Sequence, residues 1–365
     1  DGVVVAFGSN ADGQSEVPKL PRGLIYVAAE AGCRHTVLLR SDGQALAFGA
    51  NEHNQCAVPA LPLGVKYVKA AAGNWHTVLL RSDGEVVAFG RNTEGQCNIS
   101  DDTNLHESQA AASRSGLRLS PQKKTGLVAH NDNRSSKVTA IAAGAFHTIL
   151  IRDGIAVAFG SHRSLPRLPQ GSRYISVAAS LDNTMLLRSD GHVVSCGDAA
   201  DPIECSLIPS LPHGMMYTSI ATGGHHAILL RSDGEAFAFG HNGDSRCDVP
   251  LCTPGTWYTS AAAGLRHSLL LRNDGRVIAL GCNQLPPGHL NGFGGPCDVP
   301  NLPPGVVYCK SVDSDGDMMH RAPKVTAKSE RALFSMSKNA ETHQVSKSKF
   351  AITAENATSS PYVLA

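Results

Sequence analysis

The sequence has few aromatic and charged residues and almost no net charge. Aromatic residues make up 5% of the 365 residues, charged residues make up 17%, and the formal charge at pH 7 is +1. Such a balance argues against a broad nucleic-acid-binding surface or a funnel for acidic substrates. No run of about 18 apolar residues appears, as a membrane-spanning helix would require. We therefore expect no direct nucleic-acid binding and no membrane insertion.

Motifs of catalysis and metal binding are also missing. There is no Gly-x-x-x-x-Gly-Lys-Ser/Thr phosphate loop, no nucleophile elbow and no paired-carboxylate arrangement. Ten cysteines are present, but no two of them form a Cys-x-x-Cys pair. The chain is therefore predicted not to be an enzyme and to hold neither a cofactor nor a metal.

What the chain does contain is a repeat of about 41 residues. One position recurs in every copy, at intervals of 41 and 41 residues and then of 70, 37, 43 and 41 residues. The residues at that position are Phe7, Phe48, Phe89, Phe159, Cys196, Phe239 and Leu280, and the five phenylalanines are predicted to be buried at equivalent sites. A fixed period in this range is typical of arrays, solenoids and propellers.

Each copy predicts a β-hairpin and one further strand. In the second copy, two apolar runs, His35–Arg40 and Ala45–Phe48, flank a Ser-Asp-Gly turn, and Asp-Gly between such runs favours a hairpin. Asp-Gly falls in this place seven times. A third short strand is predicted before each Ala-Gly, at Tyr26–Ala29, Tyr67–Ala71, Tyr174–Ala178 and Tyr258–Ala262. The pattern predicts an all-β, seven-bladed β-propeller, with an open β-solenoid as the structural alternative.

The propeller is predicted to span residues 1–321. Within it, residues 100–137 hold most of an inserted, polar, flexible loop, and residues 322–365 are expected to be a low-complexity, disordered tail. The chain starts inside a repeat without Met, so a fragment or processed form is expected. Val3–Phe7 supplies only half a blade, and we expect it to be completed by an irregular segment within residues 309–321. The seventh blade is therefore predicted to be incomplete.

Repeated histidines and cysteines are predicted to be structural. Histidine is a common metal ligand and general base, but five of them share one repeat position, which favours a ring that bonds a neighbouring backbone group. They are His35, His76, His147, His226 and His267. Cysteines at one connector position are held a blade apart, too far for a disulfide, and are predicted to be small buried hydrophobes in a reducing compartment. They are Cys56, Cys97, Cys247 and Cys297.

The repeated elements resemble the regulator of chromosome condensation repeat. These elements are Gly-x-x-His-Thr, Leu-Leu-Arg-Ser-Asp-Gly and Ala-Phe-Gly-x-Asn-x-x-Gly-Gln, which recur in this order over about residues 1–308. The compact copies are most similar to a short-repeat branch that includes the bacterial beta-lactamase inhibitory propeller and ubiquitin-ligase-associated repeat domains. The resemblance implies a seven-bladed propeller that binds proteins, and fold alone does not select among the roles of the family.

Several roles implied by the resemblance fit this chain poorly. The ultraviolet receptor of the family uses a tryptophan cluster, whereas this chain has two tryptophans. The 57 residues after Tyr308 are too few for a ubiquitin-ligase catalytic domain. The exchange factor of the family uses an ordered β-wedge, and residues 100–137 show no convincing strand pair. Two alternatives are kept: a guanine-nucleotide exchange factor for a small GTPase, and a substrate-recruiting fragment of a larger ubiquitin ligase.

The variable positions inside the repeat predict where a partner binds. Two residues between the Gly and the His differ from copy to copy, and repeat equivalence places them in a ring on one face. The predicted partner-binding residues are Arg34, Asn74, Trp75, Phe146, Asp182, His225 and Arg266. A second variable pair follows each Gly-x-Asn, as in Ala11-Asp12 and Glu52-His53. We expect a non-enzymatic interaction module or scaffold, monomeric and either cytoplasmic or nuclear. Its partner would be a protein, with a small GTPase or a ubiquitin-pathway component as candidates.

Overall fold

The computed structural model describes residues 4–99, 137–161, 165–197, 208–281 and 299. These residues form eighteen strands and no helix, arranged as six three-stranded antiparallel sheets. Each sheet is built from three strands that are consecutive in the chain, so each repeat copy forms one sheet. The predicted all-β repeat architecture is confirmed, and we number these sheets blades 1 to 6.

Every blade follows the same strand order. The first strands are β1 (Tyr26–Ala31), β4 (Tyr67–Ala72), β7 (Val138–Ala143), β10 (Tyr174–Ser180), β13 (Tyr217–Thr222) and β16 (Tyr258–Ala263). The middle strands are β2 (His35–Arg40), β5 (His76–Arg81), β8 (His147–Arg152), β11 (Asn183–Arg188), β14 (His226–Arg231) and β17 (His267–Arg272). The third strands are β3 (Ala45–Gly49), β6 (Val86–Gly90), β9 (Ile155–Gly160), β12 (Val193–Gly197), β15 (Ala236–Gly240) and β18 (Val277–Gly281).

The turn between the second and third strands is set by the Asp-Gly sequence. In blade 1 the Arg40 amide donates to the Gln44 carbonyl at 2.8 Å, and the Gly43 amide donates to the Arg40 carbonyl at 2.9 Å. Gly43 has a φ of 87°, the left-handed conformation that a three-residue hairpin loop needs at its last position. The turn sequence therefore fixes the register in which His35 faces Gly49.

The hydrophobic core lies between successive blades. Between blades 1 and 2, Val37 and Leu39 of β2 pack with Tyr67 of β4 and Leu79 of β5. The first strands of successive blades also contact one another, which places them nearest the ring axis and the third strands at the outer edge. Because the core lies between sheets, each blade depends on its neighbours for burial.

Most of the observed first and third strands are one or two residues longer than the sequence predicted. The first strand of blade 1, expected at Tyr26–Ala29, continues to Ala31. The Val-Pro segments at 58–59 and 249–250 lie in connecting loops and in no strand. Residues 4–7, predicted as a strand of the seventh blade, form none. The completing segment 309–321, residues 100–136 of the insertion and the tail 322–365 lie outside the described residues, as does Cys297.

The repeat phenylalanines and the connector cysteines are less buried than the sequence predicted. The equivalent rings of Phe7, Phe48, Phe89, Phe159 and Phe239 are half-buried, whereas full burial was expected. The third strand is the outer edge of each blade, so a ring on it packs against one neighbouring sheet and keeps one side in solvent. The connector cysteines Cys56 and Cys97 are also half-buried, and each thiol donates to a backbone carbonyl at 3.3 Å. Their pKa is raised to about 11, first by desolvation.

Candidate partner-binding face

Both sets of variable loops lie at the same end of the blades. The loop before each middle strand and the loop after each third strand meet because the histidine is paired with the glycine that ends the third strand. In blade 2 the Arg91 amide donates to the Trp75 carbonyl at 2.9 Å, and in blade 3 the Ser161 amide donates to the Phe146 carbonyl at 3.0 Å. We call this end of the blades the loop face, and the opposite end, which carries the Asp-Gly turns, the hairpin face.

The histidine of the loop joins its blade to the next one. The Nε2 atoms of His35 and His76 lie 2.9 Å from the hydroxyl oxygens of Thr77 and Thr148 in the following blades. Thr77 donates its hydroxyl hydrogen to the Gln55 carbonyl at 2.7 Å, so the His35 ring donates to Thr77. The sequence predicted a backbone partner for this ring, whereas the partner is a side-chain hydroxyl on the next blade.

These histidines are held neutral by burial. His35, His76 and His226 are almost fully buried, and His267 is half-buried. Desolvation lowers the pKa of each of the first three to about 4 and lowers the pKa of His267 as well. For His226 the neighbouring Arg246 guanidinium is a second cause. A neutral ring bonded to a hydroxyl is a structural connection between blades.

Glycine is required where successive loops touch. A Cβ on Gly73 would lie 2.5 Å from the Gly144 carbonyl oxygen of the next blade and 2.6 Å from the His76 ring. The Asn74 amide donates to that same carbonyl at 3.2 Å. The Gly-x-x-His spacing therefore fixes the backbone of the loop and leaves only the two intervening side chains to vary.

The connection between blades 4 and 5 differs from the others. Asn183 takes the place of the histidine, and Ala227 takes the place of the threonine that would receive its bond. Ser180, at the glycine position, instead donates its hydroxyl to the Gly223 carbonyl of blade 5. Both members of the usual contact are thus replaced together at this junction.

The predicted residue Arg34 is already paired within the protein. Its guanidinium donates to both carboxylate oxygens of Asp12, at 2.8 and 2.5 Å, and lies 3.4 Å from a carboxylate oxygen of Glu52. Asp12 and Glu52 belong to the second variable pair of the repeat, so this pair also lies on the loop face. Arg34 is exposed, but its charge is largely compensated.

Trp75 and Phe146 come together across two blades. Their ring centroids are 5.4 Å apart with an interplanar angle of 38°, and both side chains are half-buried. The Arg91 guanidinium carbon lies 5.0 Å from the centroid of the Trp75 ring and 5.1 Å from that of Phe146. These distances are within the range of cation–π interactions. We call these three residues the aromatic–arginine cluster.

The other predicted residues are spread around the loop face. Asn74 is half-buried beside Trp75, whereas Asp182, His225 and Arg266 are exposed in blades 4, 5 and 6. Leu265, next to Arg266, is 51% exposed. The structure therefore brings Asn74, Trp75 and Phe146 together, whereas the remaining predicted residues lie on other blades.

The repeated arginines lie at the hairpin face. In blades 1 and 5 the arginine before the turn pairs with the aspartate of that turn, as Arg40–Asp42 and Arg231–Asp233. The same pairing recurs in the turns of blades 2, 4 and 6. The hydrogen bond from the arginine is the largest cause that lowers the pKa of Asp233 and of Asp274.

Comparison with known repeats identifies the architecture. The family described as the regulator of chromosome condensation (RCC1) repeat matches residues 67–96 and 217–246. These segments correspond to blades 2 and 5, including their histidines, hairpins and loop-face glycines. The chain is an RCC1-like repeat propeller. No curated protein sequence matches it.

Solved structures share this RCC1-like fold at low sequence identity. Prp20p from Saccharomyces cerevisiae is 17% identical with a TM-score of 0.54, over 77% of this chain and 82% of that chain. Human WBSCR16 is 18% identical with a TM-score of 0.52, over 72% and 79% of the two chains. Yeast RCC1 (Prp20) bound to Kap60 is 18% identical with a TM-score of 0.52, over 76% and 80%.

Sequence reasoning missed Arg91 in this RCC1-like face. It lies between Gly90 and Asn92, at a position filled by Ser9, Ala50 and His241 in other copies. Variation at this third loop position was the available signal. In the described part of the chain, no group of three metal-ligating side chains converges, and no helix is long and apolar enough to cross a membrane.

Proposed function

We propose that this RCC1-like propeller is a non-enzymatic protein-interaction module that binds its partner through the loop face. The observation that carries the proposal is the aromatic–arginine cluster. Tryptophan, phenylalanine and arginine are enriched at protein interfaces, and tryptophan and arginine dominate interface hot spots. We keep the prediction that the protein is monomeric and either cytoplasmic or nuclear.

The surroundings of the cluster support an interface role. Trp75 and Phe146 keep part of their ring surface in solvent, although their backbones are fixed by the loop contacts between blades. Rigid aromatic side chains bind with little loss of conformational entropy, which favours affinity. The variable loops of neighbouring blades surround this cluster, as expected for a binding surface whose specificity is set by loops on a repeated frame.

The experiment compares the two tryptophans of the chain. Trp257 directly precedes Tyr258 of β16, which is paired with Arg272, and its carbonyl accepts a hydrogen bond from the Asn273 amide at 2.9 Å. It therefore lies at the hairpin face, and it is 48% exposed. A six-residue strand spans roughly 20 Å, which separates the two faces. Trp257→Ala is therefore a control of the same residue type at the opposite end.

We expect Trp75→Ala with Phe146→Ala to weaken binding, while Trp257→Ala does not. Proteins captured by the wild-type propeller are identified, and their dissociation constants are measured for both variants. Loss of a hot-spot side chain costs about 2 kcal/mol, a roughly 30-fold change in affinity. The proposal fails if the paired variant binds every recovered protein as the wild type does. It also fails if Trp257→Ala alone reduces binding.

Two alternative functions have direct assays. The structure of Prp20p is described together with its binding to Gsp1p and histones. A nucleotide exchange factor would accelerate nucleotide release from a small GTPase, and a ligase fragment would be followed in its parent protein by a catalytic domain. No feature of the described residues favours either alternative over the interaction module.

A further inference from the structure

Arg91 is held in position by contacts that leave its terminal nitrogens available. Its Nε donates to the Thr93 hydroxyl at 2.9 Å, and its backbone amide is bonded to Trp75. The guanidinium lies against both rings of the cluster. A guanidinium has five N–H groups, and those on its two terminal nitrogens form the fork that binds a carboxylate.

Arg91 differs from Arg34 and Arg246, two other arginines of the loop face. Among the described residues no carboxylate lies within ion-pair distance of Arg91, whereas Arg34 is bound by Asp12 and Glu52. Arg246 of blade 5 is paired with Asp244. The cluster therefore combines apolar ring surface with one positive charge that no carboxylate of the described residues neutralises.

We propose that the aromatic–arginine cluster binds an acidic side chain, Asp or Glu, in an apolar segment of the partner protein. The carboxylate would accept two hydrogen bonds from the Arg91 terminal nitrogens, and the flanking apolar side chains would cover Trp75 and Phe146. Ring surface next to the guanidinium excludes water, which strengthens a charge-assisted bond. This inference rests on the proposed function and specifies the chemistry of its partner.

A carboxylate fits the cluster better than a phosphate group does. A phosphorylated side chain carries a charge close to −2 and is commonly bound by a cluster of arginines. Arg34, the loop-face arginine of the preceding blade, is already compensated by two carboxylates. One guanidinium between two rings matches a singly charged, planar carboxylate.

The test selects peptides from a library of random twelve-residue sequences on the immobilised propeller. Trp257→Phe in the protein leaves Trp75 as its single tryptophan, so fluorescence reports binding of synthetic copies of the selected peptides. We expect selected peptides to contain Asp or Glu flanked by apolar residues. Changing that acid to its amide, or Arg91→Gln in the propeller, should raise the dissociation constant at least tenfold. The two changes together should raise the dissociation constant little more than either change alone.

Arg276→Gln is the control, because Arg276 follows the Asp274-Gly275 turn at the hairpin face and its side chain is 80% exposed; it should change the dissociation constant less than twofold. Selection of no peptide, or of peptides without an acidic residue, would overturn the inference, as would unchanged binding to Arg91→Gln. Tighter binding when phosphoserine replaces the acid would show a phosphate site instead. Binding to the variant with both Trp75→Ala and Phe146→Ala, which lacks the Trp75 fluorescence, is measured by calorimetry. If this paired variant loses peptide binding but Arg91→Gln does not, the carboxylate inference alone fails. If that paired variant binds normally, the proposed function fails with it.

Discussion

His76 and Trp75 are consecutive residues of one loop, yet they lie in two different regions of the molecule. The His76 ring is buried in the blade interior and bonded to Thr148 of the next blade. The Trp75 ring is half-exposed at the loop face and contacts Phe146 and Arg91. The histidine position is filled alike in five copies, whereas the position before it holds five different residue types in six copies.

This difference teaches how one repeat can serve two purposes. Residues of the interior recur because every junction between blades needs the same contacts. Residues of the loop face vary because the loop backbone is already fixed by its glycine and histidine. We therefore expect interior substitutions to change stability, and loop-face substitutions to change binding.

The largest effect is expected from a core leucine. Leu79 is fully buried between blades 1 and 2, and Leu79→Ala should lower the free energy of unfolding by about 2–5 kcal/mol because it leaves a cavity. Leu63→Ala is the control, because Leu63 is fully exposed and its loss should cost less than about 0.5 kcal/mol. Denaturant unfolding measures both, and equal losses would contradict the core assignment.

A smaller effect is expected from the pH dependence of the histidines. Folding lowers the pKa of His76 from 6.5 to about 4. Between pH 4 and pH 6.5 the unfolded state therefore binds a proton that the folded state does not bind. The contribution of neutral His76 to the free energy of unfolding is complete above about pH 6.5. It decreases by about 1.4 kcal/mol for each pH unit as the pH falls to about 4. Stability should therefore decrease on acidification.

His76→Asn copies the residue that blade 4 carries at this position, Asn183. This variant cannot take up that proton, so its free energy of unfolding should fall less steeply between pH 6.5 and pH 4. Denaturant titrations at several pH values compare the two slopes. Identical slopes for the variant and the wild type would show that His76 is not the neutral, buried group described above.

The smallest effect on stability is expected at the loop face. Arg91→Gln removes the cation from the two rings, and such a contact at a partly exposed site contributes about 0.5–1 kcal/mol. Thermal unfolding should show a decrease no larger than this. A loss of stability as large as that of Leu79→Ala would mean that the cluster is part of the structural core of the propeller.

The fold could be predicted from the sequence because each blade repeats the same local signals. Asp-Gly turns set the hairpins, and the strand His35–Arg40 has the bounds that the sequence predicted. The half-burial of Phe48 was missed, since it depends on which strand is outermost in the blade. Its equivalents in other blades pack against only one neighbouring sheet.

The sequence predicted where the candidate site lies, but not which side chains contact one another there. Variation between Gly73 and His76 pointed to Trp75, and equivalence between copies pointed to Phe146. Their contact with Arg91 depends on the register of β5 with β6 and on the packing of blade 2 against blade 3. The compensation of Arg34 by Asp12 likewise joins loops of different copies, which a repeat pattern alone does not place together.

The most direct test places a photo-crosslinking phenylalanine analogue at Trp75 in one variant and at Trp257 in another. Both residues are tryptophans with exposed surface, and they lie at the loop face and the hairpin face, respectively. Irradiation in cells that express the protein should join a partner protein to the analogue at position 75 and not at position 257. Crosslinks from position 257 alone, or equal crosslinks from both positions, would contradict binding through the loop face.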